Sequence, residues 1–162
     1  MIIDCHGHYT TGPAEIDQWR ARQLDNLNDL DSLPPLQISD DQIRESLENN
    51  QIRMQRERGS DVTFFSPRAS TMEHHRGNAA ASLQWSRLQN DLIHRICQIY
   101  PQNFVGGCML PQFPGEPPAN CIDELERCVN ELDMVFVNLN PDPSGGWWTE
   151  APLTDRWWYP LY

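Results

Sequence analysis

The sequence predicts an α/β fold in which about four parallel strands alternate with helices, and three observations carry that expectation. Four short runs, Met1–His8, Val62–Phe65, Phe104–Leu110 and Met134–Asn140, are rich in apolar residues and have the length of strands. The intervals between them hold helical periodicity and are long enough for the crossover that parallel neighbours require. No segment repeats and none is of low complexity, which leaves successive β-α units with right-handed crossovers. A length of 162 residues suits one domain with a real core. It is short for a closed eight-stranded barrel, which typically needs about 250 residues. On periodicity alone a self-contained four-stranded α/β domain is the better expectation, since nothing in the pattern demands eight strands.

Each element has its own signal. Met1-Ile2-Ile3 runs straight into Asp4-Cys5-His6-Gly7-His8 as a first strand. A weakly amphipathic stretch near Ala14 to Leu27 reads as a helix, and the acidic, Pro34-Pro35-containing stretch from Asn28 to Ile38 as a loop or insertion. Ser39-Asp40-Asp41-Gln42 resembles a capping box and opens a helix expected to run to about Arg58, with Gly59 at its end. Val62 to Phe65 is the second strand, followed by a polar loop carrying Arg68, His74 and His75. From Ala79 to about Tyr100 the residues Trp85, Leu88, Leu92, Ile96 and Ile99 recur at steps of three and four, a helix that Pro101 ends. The third strand, Phe104 to Leu110, is loosened by Gly106-Gly107. After a Pro-rich loop, Cys121 to Asp133 forms a helix with Ile122, Leu125, Val129 and Leu132 on one side, and Met134 to Asn140 is the fourth strand. Thr154 reads as the N-cap of a further helix.

The net charge of −11, with no basic cluster, argues against nucleic acid and against anionic membrane surfaces, but not against a small anionic substrate met by local arginines. No window approaches the roughly 20 apolar residues of a membrane span. The chain opens directly in strand residues without a basic and apolar leader, so a cytoplasmic location is expected. The five cysteines are scattered, odd in number and form no Cys-x-x-Cys; reduced, partly buried thiols are expected, with Cys5 packed on the face opposite the histidines.

The chemistry concentrates in Asp4-x-His6-x-His8. Alternation along a strand points His6 and His8 to one side, with Asp4 one layer deeper. Two imidazoles one pleat apart can converge on one divalent cation, and zinc suits neutral imidazole. A histidine pair facing only solvent is the competing account, and the preceding strand, Asp4 and the glycine between the two weigh against it.

This stretch resembles the first strand of the amidohydrolase superfamily. The segments Arg58–Ser70, Asn138–Trp148 and Pro152–Pro160 resemble its 4-oxalomesaconate hydratase branch of aromatic-acid catabolism, which also holds aminocarboxymuconate-semialdehyde decarboxylase and related nonoxidative decarboxylases. The resemblance implies that residues 1–162 are one partial domain, the N-terminal half of a metal-dependent (β/α)8 TIM barrel with strands one to four and the start of the next helix. It implies a zinc-dependent lyase that hydrates an unsaturated oxo-polycarboxylate. Nonoxidative decarboxylation is the alternative, and a truncated, non-catalytic half-barrel is a third. It assigns the metal to His6 and His8, a substrate carboxylate to Arg68, and acid/base chemistry to strands beyond these four; Asn140 at the end of strand four and His75 on the loop after strand two are further candidates for substrate binding. On the residues alone, Arg68 reads as a surface arginine, His74 and His75 as an exposed pair and His94 as a surface histidine, while Asn140 either bonds a substrate carboxylate or hydroxyl or satisfies the turn before Pro141. Asn138 and Asn140 are the inward residues of strand four; amides are poor zinc ligands, so a mononuclear site is expected. Trp147 and Trp148 either wall a pocket or pack under their loop, and Trp157, Trp158 and Tyr159 belong to the next helix. Homo-oligomerisation stays open.

Overall fold

The computed structural model describes residues 1–162. Four strands, β1 (Ile3–His8), β2 (Val62–Ser66), β3 (Phe104–Met109) and β4 (Phe136–Asn138), lie side by side in chain order, and every neighbouring pair is parallel. The connections carry α1 (Ala14–Asp25), α2 (Asp40–Glu48), α3 (Gln51–Arg58), α4 (Ala79–Ile99) and α5 (Ala119–Glu131). The ring is open. β1 and β4 each have one unpaired edge, and Ile3 to His6 are exposed along the first.

The core lies between the sheet and its helices. Phe65, Phe104 and Cys108 of β2 and β3 join Trp85, Ile93 and Ile96 of α4 in one buried apolar cluster, and the Phe65 and Phe104 rings stack at 4.4 Å. On the other face Phe64 and Phe136 stack at 5.2 Å, and Gly107 of the intervening β3 makes this possible: a Cβ there would fall 2.2 Å from the Phe136 ring. Gly107 thus admits an aromatic pair across the strand that it was expected to loosen.

Several boundaries move. The helix expected from Ser39 to Arg58 starts as predicted, with Ser39 Oγ accepting from Gln42 N at 3.2 Å and Gln42 Oε1 accepting from Ser39 N at 2.9 Å. It breaks at Asn49-Asn50, whose side-chain amides donate to the carbonyls of Glu45 and Ser46 and compete with the helical ladder. Gly59 closes α3 in the left-handed region at φ 71°. β4 is three residues rather than seven. α5 buries Cys121, Glu124 and Cys128; of the expected apolar line Leu125 and Leu132 pack against the core, while Val129 is exposed. The last segment is a 3-10 helix, Arg156–Leu161, capped by Asp155 rather than Thr154; Trp158 anchors it in the core and Trp157 and Tyr159 lie exposed.

Two polar ties fix the helices. Asn90 of α4 bonds both backbone groups of Met109 at 3.0 Å and donates to the fully buried Glu124 at 2.8 Å. Burial alone would raise the Glu124 carboxyl, but bonds from Arg127 and Asn90 outweigh it and hold it below the ordinary range. His94 donates from Nδ1 to the Leu132 carbonyl at 3.0 Å, so this histidine joins α4 to the end of α5 rather than standing free on the surface. All five cysteines are free; Cys108, Cys121 and Cys128 are buried, whereas Cys5 is exposed because its strand is an edge. No helix is long and apolar enough to cross a membrane.

Candidate metal centre

The C-terminal ends of the strands bring His6 and His8 together. β1 carries one extra residue between Asp4 and Gly7: Asp4 aligns with Thr63, whereas His8 aligns with Ser66. Thr63 and Ser66 lie on opposite faces of β2, so the bulge turns Asp4 away from the face that His8 occupies. The Asp4 carboxylate instead accepts from the backbone N–H of His6 at 3.2 Å. The expectation of Asp4 stacked beneath the two imidazoles therefore fails, because alternation holds only while the register is unbroken. Gly7 allows the close approach, since a Cβ there would lie 2.3 Å from the Thr63 methyl.

The two imidazoles meet edge to face at 87°, with their Nε2 atoms 3.0 Å apart. Two nitrogens that each lie roughly 2.0–2.1 Å from a tetrahedral zinc ion sit about 3.3 Å apart, so the pair needs to open by only a few tenths of an ångström to share one. His8 Nδ1 lies 2.9 Å from the Pro67 carbonyl. A carbonyl only accepts, so Nδ1 carries the hydrogen and Nε2 presents a lone pair toward His6, as expected of a ligand imidazole whose other nitrogen is held from behind. Burial lowers the His8 pKa, partly offset by the Pro67 bond, and favours the neutral form that binds metals. These features fit a divalent ion. No group of three or more His, Cys, Asp or Glu side chains converges anywhere in the chain, so it provides two protein ligands where a catalytic zinc site usually has three.

An open cleft of about 390 Å³ adjoins the pair and is lined by His6, His8, Ser70, Met109, Asn138 and Asn140 among others. Asn138 donates to Ser66 Oγ at 2.6 Å. Asn140 serves its turn: its side-chain oxygen accepts from Asp142 N at 3.0 Å, and Gln112 brackets its backbone at 2.7 and 3.0 Å. Arg68 is exposed, donates to Ser70 Oγ at 3.0 Å, and borders a separate small pocket with Tyr9, Asp17 and Gln89. His75 is exposed, and its ring lies against Gly145 in the loop after β4, where a Cβ would come within 2.5 Å. His74 is not exposed, contrary to expectation. It is buried to 1 % under the β2 loop, 3.2 Å from Ser82 Oγ, and burial with nearby Arg20 pushes its pKa down to about 3. Trp147 and Trp148 stand 80 % and 70 % exposed in a loop whose backbone is gathered by the Asp142 carboxylate, so neither packs beneath it. Ser66, Pro67 and Gln112 were not singled out from the sequence. Only the position of Ser66-Pro67 at a strand end, where site residues collect, could have marked the first two.

Comparison with known proteins bears on this geometry. Residues 3–162 match the model of the amidohydrolase family. The chain is 51 % identical over its whole length to the 2-keto-4-carboxy-3-hexenedioate hydratase of Sphingobium sp. (strain NBRC 103272 / SYK-6), 48 % of which it covers. It is 50 % identical to the crystal structure of 4-oxalomesaconate hydratase from Rhodopseudomonas palustris, with a TM-score of 0.90 over 100 % of this chain and 48 % of that one. The 5-carboxyvanillate decarboxylase of Novosphingobium aromaticivorans shares the fold at 15 % identity, with a TM-score of 0.65 over 99 % of this chain and 46 % of its own. The chain thus spans about half the length of the relatives it matches.

Proposed function

The chain belongs to the amidohydrolase family, its four parallel strands forming an open half of a (β/α)8 barrel, and on that premise we propose that it bears the metal-holding part of a hydratase. The substrate class is an unsaturated oxo-polycarboxylate of the 4-oxalomesaconate kind, met in aromatic-acid catabolism. One observation carries this reading: the chain is about half identical, from end to end, to two hydratases, whereas its likeness to decarboxylases lies at 22 % identity or below and concerns the fold alone.

His6 and His8 would hold one divalent ion, zinc by ligand preference, through their Nε2 atoms. Such an ion supplies a Lewis acid that stabilises negative charge developing on an oxygen. The remaining steps belong to side chains. Asn140 lines the cleft shared with the histidines, and its amide N–H would orient a carboxylate or hydroxyl there. Arg68 and His75, on the loop after β2, are assigned to the other carboxylates; Arg68 has no acidic partner of its own, and the guanidinium fork suits a carboxylate. The acid/base group is assigned to strands that the relatives carry beyond these four. A cytoplasmic location is proposed from the five free thiols.

The test is a protein in which this chain is continued through the second half of its relatives and is offered each substrate class. Hydrated product without CO₂ release is expected; CO₂ release without hydration would make it a decarboxylase.

A further inference from the structure

Behind His8 lies a polar chain that draws on three strands. The Ser66 side chain is fully buried at the end of β2, with its Oγ 2.9 Å from His8 Nδ1 and 2.6 Å from Asn138 Nδ2. β1 and β4 therefore meet at one oxygen supplied by β2. The hydrogens follow from the groups that can only accept. Because His8 Nδ1 donates to Pro67 O, Ser66 Oγ beside it accepts from the same N–H, and it accepts from the Asn138 amide too. The hydroxyl hydrogen is left for the Gly7 carbonyl at 3.3 Å. A hydroxyl has two lone pairs and one hydrogen, and this arrangement uses all three.

We infer that Ser66 and Asn138 are positioning residues that fix His8 in its Nδ1–H form and hold its Nε2 toward an ion shared with His6. The inference rests on the reading of the two histidines as metal ligands, and it gives β2 and β4 a part in that site. An imidazole in water has either nitrogen free to carry the hydrogen, whereas two acceptors converging on Nδ1 select one form. Asn138 in turn stops the hydroxyl from rotating: with its amide hydrogen on one lone pair, Ser66 keeps the other for His8. Such partners behind a ligand imidazole are typically worth roughly ten- to a hundredfold in metal affinity.

The experiment uses the chain continued through the second half of its relatives, because the open sheet edge favours association of the chain alone. The ¹⁵N shifts of the His8 ring are recorded without metal, at a pH well above the ordinary histidine value of about 6.5. Zinc affinity is then measured by competition with a chromophoric chelator. Ser66→Ala and Asn138→Ala each leave the Pro67 carbonyl to hold the ring alone, and are expected to let part of the His8 population leave the Nδ1–H form and to weaken zinc binding about tenfold. The double variant should bind no more weakly than the weaker single one, because both act through one chain of contacts. Ser66→Thr, which keeps the hydroxyl, should restore both readouts. Should Ser66→Ala fail to fold, the half-buried Asn138→Ala carries the test. Singles that keep the wild-type tautomer, with or without a loss of affinity, overturn the inference. If His8→Ala binds zinc as the wild type does, the metal reading is the part that fails, and the ring shifts still decide what Ser66 and Asn138 do to His8.

Discussion

His74 shows how burial converts a titratable side chain into a pH-dependent element of stability. In the unfolded chain it has an ordinary pKa near 6.5, and in the folded chain about 3, so between those values the unfolded state binds a proton that the folded state does not. Its stabilising effect is therefore full above about pH 6.5 and declines as pH falls toward 3. Urea melts at pH 7.5, 6 and 5 should show falling stability, and His74→Leu should flatten that slope; an unchanged slope would mean that His74 is open to solvent. Arg68 is a second residue with a separable role. Its side chain is exposed and bonds only Ser70, so Arg68→Ala in the protein continued through the second half should leave the melting temperature nearly intact. Substrate binding should weaken by about 1.5–3 kcal/mol if its partner is a carboxylate. Normal binding would return Arg68 to the surface role that its residue type alone implies. His6 and His8 were legible because ligand type and spacing are written locally. The partners behind His8 were not, because Ser66 reaches it from 58 residues away on β2 and Asn138 touches Ser66, not His8, from 72 residues further along on β4.

Elements were legible where a local pattern governs and blurred where tertiary contacts do. The cap at Ser39, the stop at Gly59 and the apolar stripe of α4 all follow from neighbours within one or two turns. The break at Asn49-Asn50 depends on side chains outcompeting the backbone, and the bulge in β1 on how that strand docks against β2; neither leaves a periodic trace. The line buried by α5 was legible at Leu125 and Leu132 but not at Glu124, for a similar reason. A carboxylate on the core side reads as a surface residue until Asn90, Arg87 and Arg127 are seen around it. Because Asn90 satisfies Met109 and Glu124 together, Asn90→Ala should destabilise the fold by at least about 1–3 kcal/mol, the usual cost of leaving one buried polar group unpaired. Chemical denaturation with an unchanged m-value would measure it; a loss under about 0.5 kcal/mol would class Asn90 with ordinary surface substitutions.

At the scale of the whole molecule, the four strands cannot close a ring, and that fact governs behaviour. The free edge of β1 and the exposed Ile2, Ile3, Val129 and Val135 present unpaired backbone and apolar surface. Expressed alone, the chain should associate in light scattering and show no hydratase turnover; a well-behaved monomer with full activity would contradict the assignment of acid/base chemistry to further strands. Alternating strands and helices revealed the sheet, but its place within a larger barrel came from segment-long resemblance, since four β-α units look alike whether or not more follow. The most direct test of the proposed centre is metal stoichiometry in the chain continued through the second half of its relatives. One divalent ion per protein is expected by elemental analysis, lost when both His6 and His8 are replaced by Ala. An unchanged metal content in that double variant would contradict the centre.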